Sequence, residues 1–220
     1  RTTSLIAAEL AREGYQILLG EQIFSSSAIM GRQVDEAIEK ARALSQGADP
    51  QWLEPQRLTG LIAVLETGRP GPCVALRVDL DAVHLQESDS EQHFPHQAGF
   101  ASQNSNAMHA CGHDGHAAVG LVLGKRLIQH KAQLCGRIKL IFQPAEEGCR
   151  GGKALAQGGQ LDDVDIFYAI HLGIHAQSGE VVVCPEAFLS STKFDVEFIG
   201  RAAHAGLEPN AGANALAAAC

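Results

Sequence analysis

The stretch CVALRVDLDAV, residues 73–83, is a run of aliphatic and β-branched residues with two aspartates near its end. A similar run, LIAVLE at residues 61–66, precedes it, and the turn-forming cluster TGRPGP separates the two. Short apolar runs bounded by glycine and proline predict buried β-strands. The sequence therefore predicts two strands of one sheet, the second of which ends in carboxylates.

Further strands alternate with helices along the chain. Helices are predicted at AAVGLVLGKRLI (117–128) and at the glycine-rich GGKALAQGG (151–159). Strands that are apolar on both faces and alternate with helices predict an α/β fold, with a three-layer αβα domain around a buried sheet. The remaining strands are predicted at RIKLIF (137–142), DIFYAI (165–170) and EVVVC (180–184).

The N-terminal region predicts a helix and a short strand ahead of this sheet. The helix covers LIAAELARE (5–13), with Thr2 or Thr3 as its N-cap, and YQILL (15–19) follows as a strand. Residues 20–59 are interpreted as an insertion that carries no chemistry. One helix within it is predicted from four apolar residues at helical spacing, Val34, Ile38, Ala41 and Leu44.

The pattern changes near residue 187, after which STKFDVEFIG alternates Phe and Val with polar residues. Residues 1–187 are therefore predicted to form the N-terminal part of a catalytic domain, and residues 188–220 the start of a smaller α+β domain. A helix is predicted at NALAAAC, residues 214–220. The chain begins at Arg1 without a Met, so its native N-terminus is expected further upstream.

The composition excludes several classes of protein. Hydrophobic residues make up 45% and charged residues 19% of the chain, as in globular proteins, and the net charge is −8. An acidic balance argues against binding to nucleic acid or to an anionic membrane, both of which need clustered Lys and Arg. No apolar run approaches the roughly 18 residues that span a bilayer. Six irregularly spaced cysteines favour reduced thiols in a cytoplasmic protein.

The densest group of metal-affine side chains lies in MHACGHDGHAA, residues 108–118, just before a predicted helix. A cysteine thiolate and a neutral imidazole, as in Cys111 and His113, are strong ligands for zinc-like cations. The pair alone is equally compatible with a buried cysteine beside a histidine that caps the helix. Its function therefore depends on what else the fold brings to it.

A second group is the adjacent pair Glu146 and Glu147 in IFQPAEEG, after a strand predicted to end at Phe142. Neighbouring side chains of an extended segment point in opposite directions. One carboxylate could then hold a metal while the other acts as a base. A solvated pair in a loop is the alternative interpretation.

Two other strand ends supply the remaining candidates. His171 closes FYAIHLG, either as a metal ligand or as a core histidine bonded to the backbone. Asp79 and Asp81 lie on one face of their strand end, where a carboxylate can orient a ligand imidazole or, alternatively, pair with Arg77. In an open α/β sheet these ends line one crevice, where ligands bind. Sulfur, imidazoles and carboxylates that meet there predict a catalytic metal centre, and a spare carboxylate suits a hydrolase.

Five segments, in order along the chain, resemble the amidohydrolase branch of the M20 metallopeptidase family. The resemblance implies a zinc-peptidase-like αβα domain that holds two divalent metals and is interrupted by a lid and dimerisation domain. It also implies hydrolysis of the amide bond of N-acyl or N-aroyl amino acids. The segments are RPGPCVALRVDLDA, HACGHDGHAA, IKLIFQPAEEG, AIHLG and FIGRAAHAGLEPNAGANAL.

The resemblance also assigns roles to single residues. Glu146 is implied to be the general base that takes a proton from the attacking water and gives it to the leaving amine. Asp81 is implied to orient a ligand imidazole. Mn²⁺ is implied ahead of Zn²⁺ or Co²⁺. The implied metal ligands are Cys111, which suits a bridging position, with His113, Glu147 and His171.

His204, in AAHAG, matches a lid histidine that polarises the scissile carbonyl in the partner's site; alternatively, it is a polar residue at a helix start. Asn214 is expected to help bind a substrate carboxylate. The resemblance implies a homodimer, or a heterodimer with a related subunit, formed through the lid. The family's further histidine ligand and most of the lid have no counterpart in these 220 residues.

Two departures from the family pattern narrow the range of expected substrates. Asn210 stands where a second lid histidine is common, and LGIHAQ lacks the proline that usually follows closely after His171. Both departures resemble the subgroup that hydrolyses p-aminobenzoyl-glutamate, which makes this compound the expected substrate.

The sequence leaves two other functions open. Cys111 could be a nucleophile with His113 or His109 as its base, although a pair two residues apart seldom has the required geometry. The chain could instead be a non-catalytic, metal-binding subunit that supports an active partner. The presence of both Glu146 and Glu147 favours a catalytic site.

Overall fold

The computed structural model describes residues 1–31, 36–53, 59–173, 177–183, 192, 194 and 196–220. The chain divides into two units, Arg1–Val182 and Val183–Cys220. The boundary predicted at residue 187 falls outside the described residues, so it stays a prediction. Among the described residues, no helix has the length and apolar character required to cross a bilayer.

The first unit is built on a five-stranded sheet in the order β1-β2-β4-β3-β5. β3 runs parallel to both β4 and β5, while β2 is antiparallel to β1 and β4. Three strands therefore end at the same edge of the sheet, as the alternation of strands and helices predicted. The strands are β1 (Gln16–Leu18), β2 (Leu61–Glu66), β3 (Cys73–Asp79), β4 (Arg137–Gln143) and β5 (Ile166–Ala169).

A helix lies at each predicted position, and one further short α-helix, at Phe94–Gln97, was not predicted. In the first unit they are α1 (Thr2–Arg12), α2 (Glu36–Ser45), α3 (Phe94–Gln97), α4 (His113–Gln129) and α5 (Gly151–Ala156), and α6 (Ala215–Ala219) lies in the second unit. The predicted cap of α1 is wrong: Arg1 is the N-cap, and Thr2 and Thr3 lie inside the first turn. The hydroxyl of Thr3 instead accepts a hydrogen bond from the backbone N–H of Gly60 at 3.1 Å, which ties α1 to the start of β2.

The sheet is covered on both faces, because alternate residues of β2 and β4 belong to two separate apolar clusters. On one face, α1 and α4 pack on side chains that include Leu61, Leu140 and Phe142. On the other face, α5 and residues 23–28 pack on Ile62 and Ile141. The result is the predicted three-layer αβα arrangement.

The interpretation of residues 20–59 as an insertion needs a correction. Ile23 and Phe24, at its start, are 0% and 5% exposed and fill the core on the second face of the sheet. The helix predicted within it is α2, where Ile38 is 64% exposed; Val34 lies outside the described residues. The segment thus begins as part of the core and continues as a surface helix.

Two predictions at the margin of the sheet are wrong. β5 is exposed along its whole length instead of buried, and in the described part of the chain it is an edge strand that pairs with β3 alone. The predicted strand EVVVC is absent over its described residues 180–183, which lack a strand partner. Val181 and Val183 are 91% and 80% exposed.

The second unit, described by itself, contains little regular structure. Its described residues include one isolated bridge between Arg201 and Ala213, and α6. The alternating segment before residue 200 forms no strand over its described residues. Asn214 is the N-cap of α6 and accepts a hydrogen bond from the backbone N–H of Ala217 at 3.1 Å.

Candidate metal centre

His113 is the first residue of α4 and is completely buried. Gly112 precedes it with φ +85°, a left-handed conformation that glycine adopts without strain. The Nδ1 of His113 lies 3.1 Å from the carbonyl oxygen of Asp81 and 3.2 Å from its carboxylate Oδ1. Nδ1 therefore carries the proton and donates to Asp81, which leaves the lone pair of Nε2 free.

Cys111 and His171 meet beside this histidine. The Sγ of Cys111 lies 3.4 Å from the Nε2 of His171. The Nδ1 of His171 donates to the carbonyl oxygen of Leu172 at 2.8 Å, so its Nε2 also presents a lone pair. Burial and the neighbouring carboxylate of Glu147 raise the pKa of the Cys111 thiol, because both disfavour an additional negative charge.

Glu146 and Glu147 lie in a turn after β4, so the expectation of an extended segment is wrong. Ala145 has φ +56°, which turns the chain directly after Pro144. Both carboxylates consequently approach the same imidazole: Glu146 Oε2 lies 3.8 Å from His113 Nε2, and Glu147 Oε1 lies 3.9 Å from Nδ1.

The turn is anchored to the neighbouring strand end. The backbone N–H of Glu147 donates to Asp81 Oδ2 at 2.9 Å. Asp81 therefore contacts both an imidazole and the carboxylate-bearing turn through its two oxygens. Its position just past the end of β3 is what allows it to reach the turn after the parallel strand β4.

Asp79 and His116 complete the inner side of the cluster, and sequence reasoning gave His116 no role. Both side chains are 0% exposed. Burial lowers the pKa of His116 to about 4, with smaller contributions from His171 and His113. Burial also raises the pKa of Asp79, against the opposing effect of Arg77, whose Nη2 lies 2.5 Å from Oδ1. The spacing of His113 and His116, three residues apart on one helical face, was the available signal.

The cluster contains an unusual number of buried polar atoms without a hydrogen-bond partner. Buried polar atoms normally have hydrogen-bond partners, so a group of buried atoms without them is typical of residues that bind an ion or ligand. Sulfur, imidazole nitrogen and carboxylate oxygen are together a donor set for zinc-like or manganese-like cations. The residues therefore fit bound divalent metal. The atoms without a hydrogen bond are His113 Nε2, His116 Nδ1, Glu147 Oε1, Asp81 Oδ1 and both carboxylate oxygens of Asp79. Two of them still have a charged or polar neighbour, because Asp79 Oδ1 is ion-paired with Arg77 and Asp81 Oδ1 lies 3.2 Å from His113 Nδ1.

Among the described residues, three overlapping sets of side chains could hold an ion, and His113 belongs to all of them. In each set the ligand atoms lie within 4.8 Å of one another. Five of the eight predicted site residues belong to these sets, and a sixth, Asp81, contacts the shared His113. The sets are Cys111, His113 and His171; His113, Glu146 and Glu147; and Asp79, His113 and His116.

The two other predicted site residues, His204 and Asn214, belong to the second unit. The Nδ1 of His204 accepts hydrogen bonds from the backbone N–H groups of Gly206 and Leu207 at 3.2 and 3.1 Å. The imidazole thus caps a local turn, and Asn214 caps α6. Their proposed catalytic and binding roles stay predictions.

The known proteins to which this chain is similar include hydrolases and a metal-binding peptidase, which agrees with a candidate metal centre. The model of peptidase family M20/M25/M40 matches residues 75–220. The chain is 48% identical, over its whole length, to one subunit of the p-aminobenzoyl-glutamate hydrolase of Escherichia coli (strain K12), and it covers 51% of that protein. It is equally similar, with the same coverage, to indole-3-acetyl-aspartic acid hydrolase of Enterobacter agglomerans. The chain thus spans about half the length of these relatives.

Solved structures show the same relationship. A crystal structure of the aminobenzoyl-glutamate utilization protein from Klebsiella pneumoniae matches with a TM-score of 0.62 and 40% identity, over 80% of this chain and 39% of that one. The Bacillus subtilis YXEP protein, described as a dinuclear metal binding peptidase from the M20 family, matches with a TM-score of 0.54 and 30% identity, over 77% of this chain and 36% of that one.

Proposed function

Because this chain belongs to peptidase family M20/M25/M40, we propose that it is part of a metal-dependent hydrolase that cleaves the amide bond of N-acyl or N-aroyl amino acids. p-Aminobenzoyl-glutamate is the proposed substrate, supported by the 48% identity to the Escherichia coli hydrolase named for it. The equal identity to an indole-3-acetyl-aspartate hydrolase supports the same bond type, an amide between an aromatic acid and an acidic amino acid.

One observation carries this proposal: thiol, imidazole and carboxylate groups from separate parts of the chain converge at the carboxyl ends of parallel strands. Cys111 and His113 come from the start of α4, Glu146 and Glu147 follow β4, and His171 follows β5. Two of these residues have a buried atom without a hydrogen-bond partner among the described residues, His113 at Nε2 and Glu147 at Oε1. A structural histidine or a solvated acidic pair would instead have its hydrogen bonds satisfied.

In the proposed centre, two divalent cations are held by four ligands. The dinuclear relative from Bacillus subtilis supports the number of ions. Mn²⁺ is the proposed metal, and Zn²⁺ or Co²⁺ suit the same donors. When bound, such ions polarise the substrate carbonyl and lower the pKa of water toward neutrality. The proposed ligands are Cys111, His113, Glu147 and His171.

Glu146 is the proposed general base. Its side chain is 36% exposed, compared with 25% for Glu147, whose Oε1 is buried without a partner. The more accessible carboxylate can accept a proton from the attacking water and return it to the amine that leaves. Asp81 holds the His113 imidazole by Nδ1 and, through its second oxygen, the backbone of the Glu147 turn.

The residues of the second unit enter the proposal through an oligomeric assembly. Residues 1–187 are proposed as part of the catalytic domain and residues 188–220 as the start of a lid through which a homodimer or heterodimer forms. The Escherichia coli relative is named as one component of its hydrolase, which supports an assembly. In it, His204 would polarise the scissile carbonyl in the partner's site, and Asn214 would bind a substrate carboxylate.

The five described cysteines are free, which supports a cytoplasmic location.

The proposal is tested by assaying the full-length protein on p-aminobenzoyl-glutamate, indole-3-acetyl-aspartate and N-acetyl amino acids. Activity should disappear after treatment with a chelator and return with Mn²⁺, Zn²⁺ or Co²⁺. Activity that survives chelation, or no activity with any of these metals, would contradict the proposal.

A second candidate is thiol catalysis, favoured by the 3.4 Å contact between Cys111 Sγ and His171 Nε2. In this alternative His171 is the base, in place of His113 or His109. Burial and the neighbouring Glu147 carboxylate raise the pKa of the Cys111 thiol, which opposes this alternative because a nucleophilic cysteine needs a lowered pKa. Iodoacetamide decides between the two: metal should protect Cys111 from alkylation if it is a ligand, whereas a nucleophile is alkylated and inactivated in the loaded protein.

A further inference from the structure

Asp79 and His116 form a buried pair behind the proposed metal ligands, and neither has a part in the proposed chemistry. Asp79 ends β3, and His116 lies in the first turn of α4. Polar side chains that are 0% exposed cost free energy unless their partners compensate. Their contacts therefore indicate what the pair does for the site.

His116 holds a backbone amide. Its Nε2 accepts a hydrogen bond from the N–H of Leu172 at 2.9 Å. A neutral imidazole that accepts through Nε2 carries its proton on Nδ1. Nδ1 lies 3.4 Å from Asp79 Oδ2, and Asp79 is paired through its other oxygen with Arg77 at 2.5 Å. A row of three polar side chains thus ends on the peptide group between His171 and Leu172.

The first turn of α4 also approaches the side chains on either side of this peptide group, those of Leu172 and His171. A Cβ added at Gly115 would lie 2.6 Å from Leu172 Cδ1, so glycine allows the helix to approach without displacing that side chain. The ring of His116 packs edge-on against the ring of His171, with centroids 4.6 Å apart and an interplanar angle of 87°. The segment HDGH therefore supports the residues that follow β5.

The course of the backbone at Leu172 determines where the His171 imidazole points. His171 Nδ1 donates to the carbonyl oxygen of Leu172, and this bond directs Nε2 toward Cys111. β5, which precedes His171, is an exposed edge strand and contributes no buried side chain. The amide held by His116 is thus a main constraint on His171 in the described residues.

We infer that His116 is a positioning residue that holds the Leu172 amide and thereby directs the His171 imidazole into the metal centre, with Asp79 orienting the His116 ring. The inference rests on the proposed function, in which His171 is a metal ligand. Asp79, His113 and His116 could also be a ligand set by distance alone. However, the Nε2 of His116 is occupied by Leu172 and one oxygen of Asp79 by Arg77, which favours support over ligation.

A pair of matched substitutions isolates the bond to Leu172. In His116→Gln, the amide oxygen can reach the place of Nε2 and accept from the Leu172 N–H. In His116→Asn, the shorter side chain keeps a polar group near Nδ1 but cannot reach Leu172. A merely structural histidine would be replaced equally badly by both. His130→Asn, at the exposed C-cap of the same helix, is the control.

The readout is Co²⁺ binding to the metal-free, full-length protein, followed by the thiolate-to-Co²⁺ absorption that Cys111 would give. Loss of a group that orients a ligand typically weakens metal affinity about 10- to 100-fold, so His116→Asn should raise the Kd by that factor. His116→Gln and His130→Asn should stay within about 3-fold of the wild type. Hydrogen exchange at the Leu172 amide, without metal, should accelerate in His116→Asn alone.

The outcomes separate this inference from the proposed function. Wild-type affinity in His116→Asn, or equal weakening in the Asn and Gln variants, overturns the positioning role and leaves the hydrolase proposal intact. A wild-type protein that binds no Co²⁺ contradicts both. If His116→Asn does not fold, the Gln variant decides: an unprotected Leu172 amide together with wild-type Co²⁺ affinity also overturns the inference.

Discussion

The centre of the sheet and its margin contribute to the same site but are held in different ways. In the centre, Leu140, Ile141 and Phe142 of β4 are 1% exposed or less and pack against helices on both faces. At the margin, Ile166, Phe167 and Tyr168 of β5 are 42%, 48% and 57% exposed. Burial of apolar side chains stabilises the centre of the sheet, whereas the segment after β5 contacts the site through polar groups.

This contrast explains how the site is assembled. Asp81, His113 and the Glu146–Glu147 turn stand on strands and a helix that the core fixes before any ion binds. His171 reaches the same point from the margin and depends on the Leu172 amide and on Cys111 for its orientation. We therefore expect changes in the centre to affect chemistry and folding, and changes at the margin to affect mainly metal affinity.

The largest effect is expected from Glu146→Gln, which removes the proposed general base without changing the shape of the centre. A general base contributes about 10²- to 10⁴-fold, so kcat on p-aminobenzoyl-glutamate should fall by that factor while metal content and the melting temperature stay unchanged. Asp114→Asn, an exposed carboxylate in the first turn of α4, is the control and should retain activity. Full activity in Glu146→Gln within the assembled enzyme would favour a non-catalytic, supporting subunit.

The centre could be predicted from the sequence more completely than the margin. Apolar runs such as LIAVLE and RIKLIF report burial directly, and β2 and β4 lie where these runs predicted them. DIFYAI and EVVVC are equally apolar, yet one is an exposed edge strand and the other forms no strand over its described residues. Composition cannot distinguish a strand with two neighbours from one with a single neighbour or none.

The candidate site shows the same limit at the level of single residues. The motifs located Cys111, His113 and His171, because ligand chemistry is visible in residue type. The turn that brings both glutamates to one imidazole depends on the positive φ of Ala145, which no sequence pattern reports. The role of His116 depends on a backbone amide 56 residues away, so only the folded structure reveals it.

The next largest expected effect is a difference in the free energy of unfolding between substitutions in the centre and at the margin of the sheet. Leu140→Ala removes a side chain that is 1% exposed, and such changes cost about 2–5 kcal/mol of the free energy of unfolding. Ile166→Ala removes a similar volume from a side chain that is 42% exposed and should cost less than about 1 kcal/mol. Urea denaturation of both metal-free variants measures the difference. Equal losses would mean that β5 is as tightly packed as β4.

A smaller effect is expected on the stability that the protein gains when it binds metal. Substitution of His171 tests how much of this gain depends on the margin of the sheet. For each bound Mn²⁺, at a free concentration 100 times the Kd of its site, the wild type should gain about 2.7 kcal/mol. His171→Asn loses one ligand, and a tenfold weaker affinity would reduce the gain at the same concentration to about 1.4 kcal/mol. His109→Asn, an exposed histidine near Cys111, should behave as the wild type. A melting temperature that is indifferent to Mn²⁺ and chelator would contradict metal binding.

The smallest expected effect is a pH-dependent loss of stability in the buried centre of the sheet, at a residue away from the proposed metal ligands. Tyr15 is 5% exposed, and its hydroxyl donates to the carbonyl oxygen of Gly124 at 2.9 Å, which joins the end of α1 to α4. Burial raises the pKa of Tyr15 to about 12, and Glu13 adds to the shift. Between the unfolded pKa of about 10 and this value, only the unfolded state releases the proton, so rising pH favours unfolding. Between pH 9 and 11 the wild type should therefore lose about 1 kcal/mol relative to Tyr15→Phe. Parallel pH profiles of the two proteins would mean that the hydroxyl reaches water and that α1 and α4 are joined less tightly than the buried centre requires.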